Sequence, residues 1–190
     1  MKKRIFIAVD ISEPVRRKIA DYILELKKEF SQLKAGWLSC EKLHLTLKFL
    51  GETEETQLEQ LITICEKIAD RMLNFRLQIS NTGVFHSGRN AGVLWLGVEG
   101  DIEELQKINS ILEDGCEKIG FEKEKRIYQP HLTIARIRQS QNSRRIVEFH
   151  LGNKFEPVEC EVFELAIYES KLQPTGSIYQ KIKSFSFQSP

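Results

Sequence analysis

Glycine and proline are sparse, at 11 and 5 of 190 residues, which excludes collagenous and low-complexity architectures. No apolar run approaches the ~18 residues of a membrane-spanning helix. The chain starts with a basic stretch, Lys2-Lys3-Arg4, but the apolar run that follows, Ile5–Val9, stops at Asp10, short of the ~7–15 residue core of an export signal. A soluble, cytoplasmic, unprocessed chain without membrane contact is therefore expected. Charge of one sign is lacking as well, since 28 Lys plus Arg face 27 Asp plus Glu for a net +1. That balance argues against non-specific coating of nucleic acid, where affinity comes from neutralising phosphates over a broad basic surface. A local basic cleft remains compatible with it. Arg136, Arg138, Arg144 and Arg145 lie close in sequence, although the ordinary reading of such a run is a solvated face. The cysteines, Cys40, Cys65, Cys116 and Cys160, are far apart and form no C-x-x-C pair, so reduced, partly buried thiols are expected rather than a metal site. Nothing in the spacing of Cys, His or acidic residues calls for a metal or a cofactor.

What is present is an alternation of β-rich and helix-periodic segments. Arg4–Asp10 reads as a strand. Ser12 and Pro14 start a helix whose apolar stripe is Val15, Ile19, Tyr22, Ile23, Leu26 and Phe30. Leu43–Leu50 alternates as a strand, and Thr53 is placed to cap a second helix carrying Leu58, Leu61, Ile62, Cys65, Ile68 and Ala69. Phe75–Ile79 and Ala91–Val98 are further strands. A third helix carries Ile102, Leu105, Ile108, Ile111, Leu112 and Ile119 and stops at Gly115 or Gly120. Leu132–Ile137 is a strand, Ser140–Phe149 a short helix, and Phe155–Tyr168 and Ile178–Phe187 two long strands joined across Gly176. No linker-like stretch divides the chain, so residues 1–190 are expected to form one α+β domain.

A repeat underlies this order. A strand ending at Asp10, a helix and His44-Leu45-Thr46-Leu47 are echoed by a strand ending near Glu99, a helix and His131-Leu132-Thr133-Ile134, with 34 and 32 residues between the compared positions. With seven threonines in the chain, two of four histidines gaining a Thr two places on by accident would happen on the order of once in a hundred sequences. In a strand, residues i and i+2 share a face. Each motif therefore presents an imidazole and a hydroxyl on one side while Leu43, Leu45, Leu47 and Phe49, or Leu132 and Ile134, face a core. Singly, either histidine reads equally well as a half-buried structural residue bonded by its threonine.

Together, two facing imidazoles suit acid–base cleavage of a phosphodiester. One takes a proton from water, the other protonates the leaving alkoxide, and both titrate near neutrality. The threonine hydroxyls can hydrogen-bond phosphate oxygens. By strict alternation Lys48 shares the face of His44 and Thr46, and Arg136 falls on the opposite face from His131 unless a bulge or the strand end turns it. Both are candidate substrate-binding residues. His86 and His150 stand outside any motif and are expected at the surface or in capping roles. Trp37, Phe85 and Tyr179 are candidates for stacking on a planar ligand group or for the core, and Lys123–Arg126 for steering an anionic substrate.

These motifs and their flanks resemble the 2H phosphoesterases, specifically the RNA 2',3'-cyclic phosphodiesterases also called 2'-5' RNA ligases. The resemblance spans nearly the whole chain: R-I-F-I-A-V-D at 4–10, H-L-T-L-K-F-L-G at 44–51, G-V-F at 83–85, V-L-W-L-G-V at 93–98, P-H-L-T-I-A-R at 130–136 and Y-E-S-K-L-Q-P-T-G-S-I-Y at 168–179. It implies a bilobal α+β fold with a pseudo-two-fold, two antiparallel sheets facing a central cleft and helices outside. It further implies His44 as proton donor, His131 as proton acceptor, and Thr46 and Thr133 on the phosphate. The implied reaction is metal-independent opening of a terminal 2',3'-cyclic phosphate on RNA to a 2'-phosphate, with reverse 2'-5' joining of ends such as tRNA halves, by a monomer. Two alternatives stay open: a 2H enzyme acting on a small cyclic nucleotide, and an RNA-end-binding module without chemistry.

Overall fold

The computed structural model describes residues 2–87, 90–137, 143–174 and 176–189. Its elements run β1 (Lys3–Asp10), α1 (Glu13–Glu29), β2 (Ala35–Trp37), β3 (His44–Thr53), α2 (Glu55–Ala69), β4 (Phe75–Ser87), β5 (Asn90–Gly100), α3 (Ile102–Lys118), β6 (His131–Ile137), α4 (Ser143–Gly152), β7 (Val158–Val162), β8 (Glu164–Gln173) and β9 (Gly176–Ser186). The strands make two sheets, ordered β3-β1-β8-β9 and β2-β6-β5-β4-β7, with neighbours antiparallel throughout. Each sheet takes strands from both ends of the chain. The pair β1-β3 is completed by β8 and β9, and the pair β5-β6 by β4 from the first half. Helices α2 and α3 lie against the first sheet, α1 and α4 against the second. The architecture is the bilobal α+β arrangement that the resemblance implies.

The helical stripes bury as their spacing requires. Val15, Ile19, Tyr22, Ile23 and Leu26 of α1 are inside, as are Leu58, Leu61, Cys65, Ile68 and Ala69 of α2 and Leu105, Ile108, Leu112 and Cys116 of α3. Ile111 falls off the stripe and is exposed. Gly115 does not end α3. It sits inside the helix, where a Cβ would meet the Ile64 side chain of α2 at 3.0 Å, and the chain leaves the helix at Gly120 with φ +94°.

Two other expectations are corrected. Thr53 is buried and donates to the Gly51 carbonyl, while Glu54 caps α2 through a reciprocal box with Gln57. The segment 155–168 is not one strand: β7 ends at Val162, and the chain crosses at half-exposed Phe163 into β8 of the other sheet. The short helix expected over 140–149 is described over Ser143–Gly152, and residues 140–142, like Arg138, lie outside the described residues.

Candidate active site

The two H-x-T motifs occupy the same position in their respective sheets. In the first, Asp10 of β1 pairs with His44, Val9 with Leu45 and Ala8 with Thr46. In the second, Gly97 of β5 pairs with His131, Leu96 with Leu132 and Trp95 with Thr133. The true partner of Asp10 in the repeat is therefore Gly97, not a residue near Glu99. Both histidines then follow their strand partners by the same 34 residues.

Each motif is followed at once by a β-bulge. Thr46 faces Ala8 and Lys48 faces Ile7, so Leu47 is the extra residue. Thr133 faces Trp95 and Ala135 faces Leu94, so Ile134 is the extra residue. A bulge inverts alternation downstream of it. In the second motif this places Arg136 opposite Val93, on the same face as Trp95 and Thr133, which is the turn that strict alternation denied it. Arg136 is exposed there.

In the first motif the bulge has the reverse effect on Lys48. Its side chain leaves the His44 face, becomes 6% exposed, and donates to Glu113 Oε2 of α3 at 2.6 Å and to the Glu122 carbonyl at 3.3 Å. The expectation that Lys48 shares the face of His44 and Thr46 is thus corrected. The residue in the slot equivalent to Arg136 is Phe49, which alternation assigns to the core face; the bulge turns it outward, 67% exposed.

The imidazoles are oriented alike. Nδ1 of His44 lies 2.7 Å from the Lys42 carbonyl and Nδ1 of His131 lies 2.9 Å from the Gln129 carbonyl. A carbonyl only accepts, so each Nδ1 carries the hydrogen and each Nε2 is the titrating atom. The rings are wedged by aromatics. His44 stacks on Phe6 (centroids 4.9 Å apart) and meets Tyr179 edge-on at 5.3 Å, while His131 meets Phe85 edge-on at 4.7 Å.

Burial pushes His44 down to about 4, against the opposing pull of the Lys42 carbonyl and the Asp10 charge. Burial also lowers His131, the Gln129 carbonyl opposes this, and the Arg136 cation lowers it further. Without a bound anion both imidazoles are neutral at pH 7, and each Nε2 is a base.

Thr46 and His131, from different sheets, line one cleft of about 830 Å3, together with Phe49, Phe85, Val93 and the segment 122–129. The bulge beside Thr46 is clamped from the other half: Asn109 of α3 donates to the Leu47 carbonyl at 2.8 Å, and Tyr128 donates to the Thr46 carbonyl at 3.1 Å. Neither residue carries a motif, so sequence reasoning passed over both. Gly83 faces Trp95 across the β4–β5 ladder, where a Cβ would collide with the indole at 2.1 Å. Glycine there leaves room for the indole, which meets the His131 ring edge-on with centroids 6.2 Å apart.

The remaining candidates separate. Tyr179 packs on His44 and Phe6, Phe85 lines the cleft, and Trp37 pairs with Ala135 and packs on the core. Lys123, Lys125 and Arg126 all sit on the cleft wall, where Lys123 pairs with Asp114 and Glu117. Arg144 and Arg145 pair with Glu148 and Glu29. His86 is exposed. His150 is fully buried on the inner face of α4, where Nε2 donates to the Trp95 carbonyl at 3.2 Å and Nδ1 accepts from Tyr22 Oη at 2.8 Å. The surface or capping role expected of it is corrected to a core one. Among the described residues no three His, Cys, Asp or Glu side chains gather as a metal-sized cluster, and no helix is long and apolar enough to cross a membrane.

An intertwined pair of antiparallel sheets, each presenting one H-x-T on equivalent strands, defines a protein of the two-histidine phosphoesterase class. The model of the 2'-5' RNA ligase superfamily matches residues 15–173, and the chain belongs to that superfamily. Similar proteins include the RNA 2',3'-cyclic phosphodiesterases of Thermotoga maritima, 32% identical with 97% of this chain and 96% of that one covered, and of Methanothermobacter thermautotrophicus, 33% identical with 97% and 99% covered. Among solved structures, the fold is shared with TT0787 of Thermus thermophilus (TM-score 0.78, 24% identity, 98% of both chains) and with E. coli LigT complexed with 3'-AMP (TM-score 0.78, 22% identity, 98% and 99%).

Proposed function

We propose that this chain, acting as one catalytic unit, opens the terminal 2',3'-cyclic phosphate of RNA to a 2'-phosphate, with His44 as proton donor and His131 as proton acceptor. The observation that carries the reading is the matched pair of motifs: same register, same bulge, same Nδ1–H tautomer, on two sheets that share a cleft. The names of the Thermotoga and Methanothermobacter relatives support the substrate.

In this reaction water attacks phosphorus and gives its proton to His131 Nε2. The O3'–P bond breaks in line with the attack, and O3' takes the proton from His44 Nε2. The 2'-phosphate remains. Thr46, Thr133 and Arg136 hold the non-bridging oxygens, where charge builds in the transition state. Both imidazoles are neutral when the site is empty, so His44 acquires its proton as the anionic phosphate enters, because a nearby negative charge favours the imidazolium. The acid–base pair needs no metal. With a 5'-hydroxyl in place of water as the nucleophile, its proton going to His131 and O3' again leaving with the proton of His44, the same geometry joins ends such as tRNA halves by a 2'-5' linkage.

A polymer is favoured over a small cyclic nucleotide because the cleft lined by Thr46 and His131 continues to Phe49, Lys125 and Arg126, an aromatic face and two cations that suit a preceding base and its phosphates. The test is turnover of a short RNA ending in 2',3'-cyclic phosphate beside 2',3'-cyclic mononucleotides. We expect kcat/KM to be at least tenfold higher for the RNA. Equal values would make it a small-nucleotide enzyme, and binding without turnover would make it an RNA-end-binding module.

A further inference from the structure

The two histidines are alike in backbone and unlike in what stands beside them. Asp10, the direct strand partner of His44, shares its face, and directly opposed residues in an antiparallel pair hold their Cβ atoms about 4.5–5.5 Å apart. Its carboxylate is fixed from three elements. Tyr168 Oη of β8 donates to Oδ1 at 2.5 Å, Lys181 Nζ of β9 donates to Oδ2 at 2.6 Å, and Arg16 of α1 lies 3.5 Å from Oδ1. Lys181 is itself shared with Glu164 at 2.8 Å. The Tyr168 ring, holding Asp10 by its hydroxyl, stacks at 6.1 Å from the His44 ring.

The second half has none of this. The position of Asp10 is Gly97, where any Cβ would press on the Ser80 carbonyl at 2.9 Å. The position of Tyr168 is Phe85, without a hydroxyl. In place of an acid, the flank of His131 carries Arg136.

We propose that Asp10 is a positioning residue that makes His44, and not His131, the proton donor, its carboxylate being aimed and held ionised by Tyr168, Lys181 and Arg16. Burial alone would raise the Asp10 carboxyl, but the hydrogen bonds from Lys181 and Tyr168 and the charges of Lys181 and Arg16 keep it below the ordinary aspartate value, so it stays anionic wherever the enzyme works. Its charge opposes the burial that strips His44 of its proton. When phosphate enters, the carboxylate and the phosphate together hold the imidazolium. On the other side burial, assisted by the Arg136 cation, keeps His131 a base. The groups facing His44 and Asp10 are thus one carboxylate, two phenols (Tyr168 and Tyr179), and the cations Arg16 and Lys181, the latter offset by Glu164.

This inference rests on the donor role proposed for His44, and the test separates the two. The alkaline limb of kcat, measured on a short RNA ending in 2',3'-cyclic phosphate, reports loss of the donor's proton in the bound state. In Asp10→Asn we expect that limb about one pH unit lower, so that the loss is about tenfold on the alkaline side and small on the acid side. Tyr168→Phe should shift it in the same sense and by less. In parallel, NMR titration of the His44 imidazole with saturating inorganic phosphate should give a lower pKa in Asp10→Asn while that of His131 stays put. A loss that is the same at every pH, with an unmoved His44 titration, would overturn the proposal and leave Asp10 a structural residue. A lowered His44 titration with no movement of the kinetic limb would keep the electrostatic role and remove His44 as donor.

Discussion

The two halves of this molecule use one backbone device and set it in two environments. In each, a histidine stands opposite a strand end, gives its Nδ1–H to the carbonyl two residues before it, and is followed by a threonine and then a bulge. Around His44 the pocket is Phe6, Tyr168 and Tyr179 with the Asp10 carboxylate behind it. Around His131 it is Phe85 and Trp95 with the Arg136 guanidinium beside it. Duplication explains the likeness. Acid–base catalysis is directed by the difference, because in identical surroundings the two mixed protonation states would be equally populated and neither imidazole would be the preferred donor. The same divergence appears one step along the strands, where the equivalent slots hold a stacking residue, Phe49, and a cation, Arg136.

The largest effect expected from breaking this pair is on turnover. His44→Ala and His131→Ala should each lower kcat on cyclic-phosphate-ended RNA by ~10²–10⁴, with circular dichroism and melting close to those of the parent. The double variant should lose less than the product of the two, because a donor and an acceptor act as a unit. Additive losses would mean that the histidines act in separate steps.

The other two histidines sharpen the contrast. His150→Ala removes a buried ring and leaves Tyr22 Oη and the Trp95 carbonyl without their partner. We expect a loss of about 2–4 kcal/mol in stability, seen in denaturant unfolding, with turnover per folded molecule changed only a few-fold. His86→Ala, at an exposed site, should change neither. A hundredfold loss of kcat in either variant would show that the wrong imidazoles have been paired. The smallest effect expected is that of chelation: with acid and base both supplied by imidazoles, activity in excess EDTA should stay within about twofold. Activity abolished by EDTA and restored by a divalent ion would place the chemistry elsewhere.

Much of this site was legible in the sequence because it rests on local signals. Alternation placed His44 with Thr46 and His131 with Thr133, and the repeat suggested that the two pairs meet. The bulges at Leu47 and Ile134 were not legible. A single extra residue inverts every side chain after it, yet leaves no mark on the apolar pattern of L-T-L-K-F or L-T-I-A-R. That one feature exchanged the expected fates of Lys48 and Phe49 and brought Arg136 round to the His131 face. The sheet change at Phe163 escaped for a similar reason, since a strand crossing between two sheets has the same composition as one continuous strand. The Asp10 network lies beyond local reasoning altogether: its partners Tyr168 and Lys181 are 158 and 171 residues away along the chain, and only the pairing of β1 with β8 and β9 behind it brings them together.

The pH dependence of the two single-histidine variants reaches the assignment of roles most directly. A protonated donor is lost as pH rises through its pKa, and a neutral acceptor is lost as pH falls through its own. Since burial holds free His44 to about 4 and the bound phosphate raises it, the parent's alkaline limb should lie at higher pH in kcat than in kcat/KM. The residual activity of His44→Ala on cyclic-phosphate-ended RNA should then lack the alkaline limb and keep the acid one, whereas that of His131→Ala should lack the acid limb and keep the alkaline one. The opposite pattern, with the alkaline limb surviving in His44→Ala, would contradict the account and make His131 the donor.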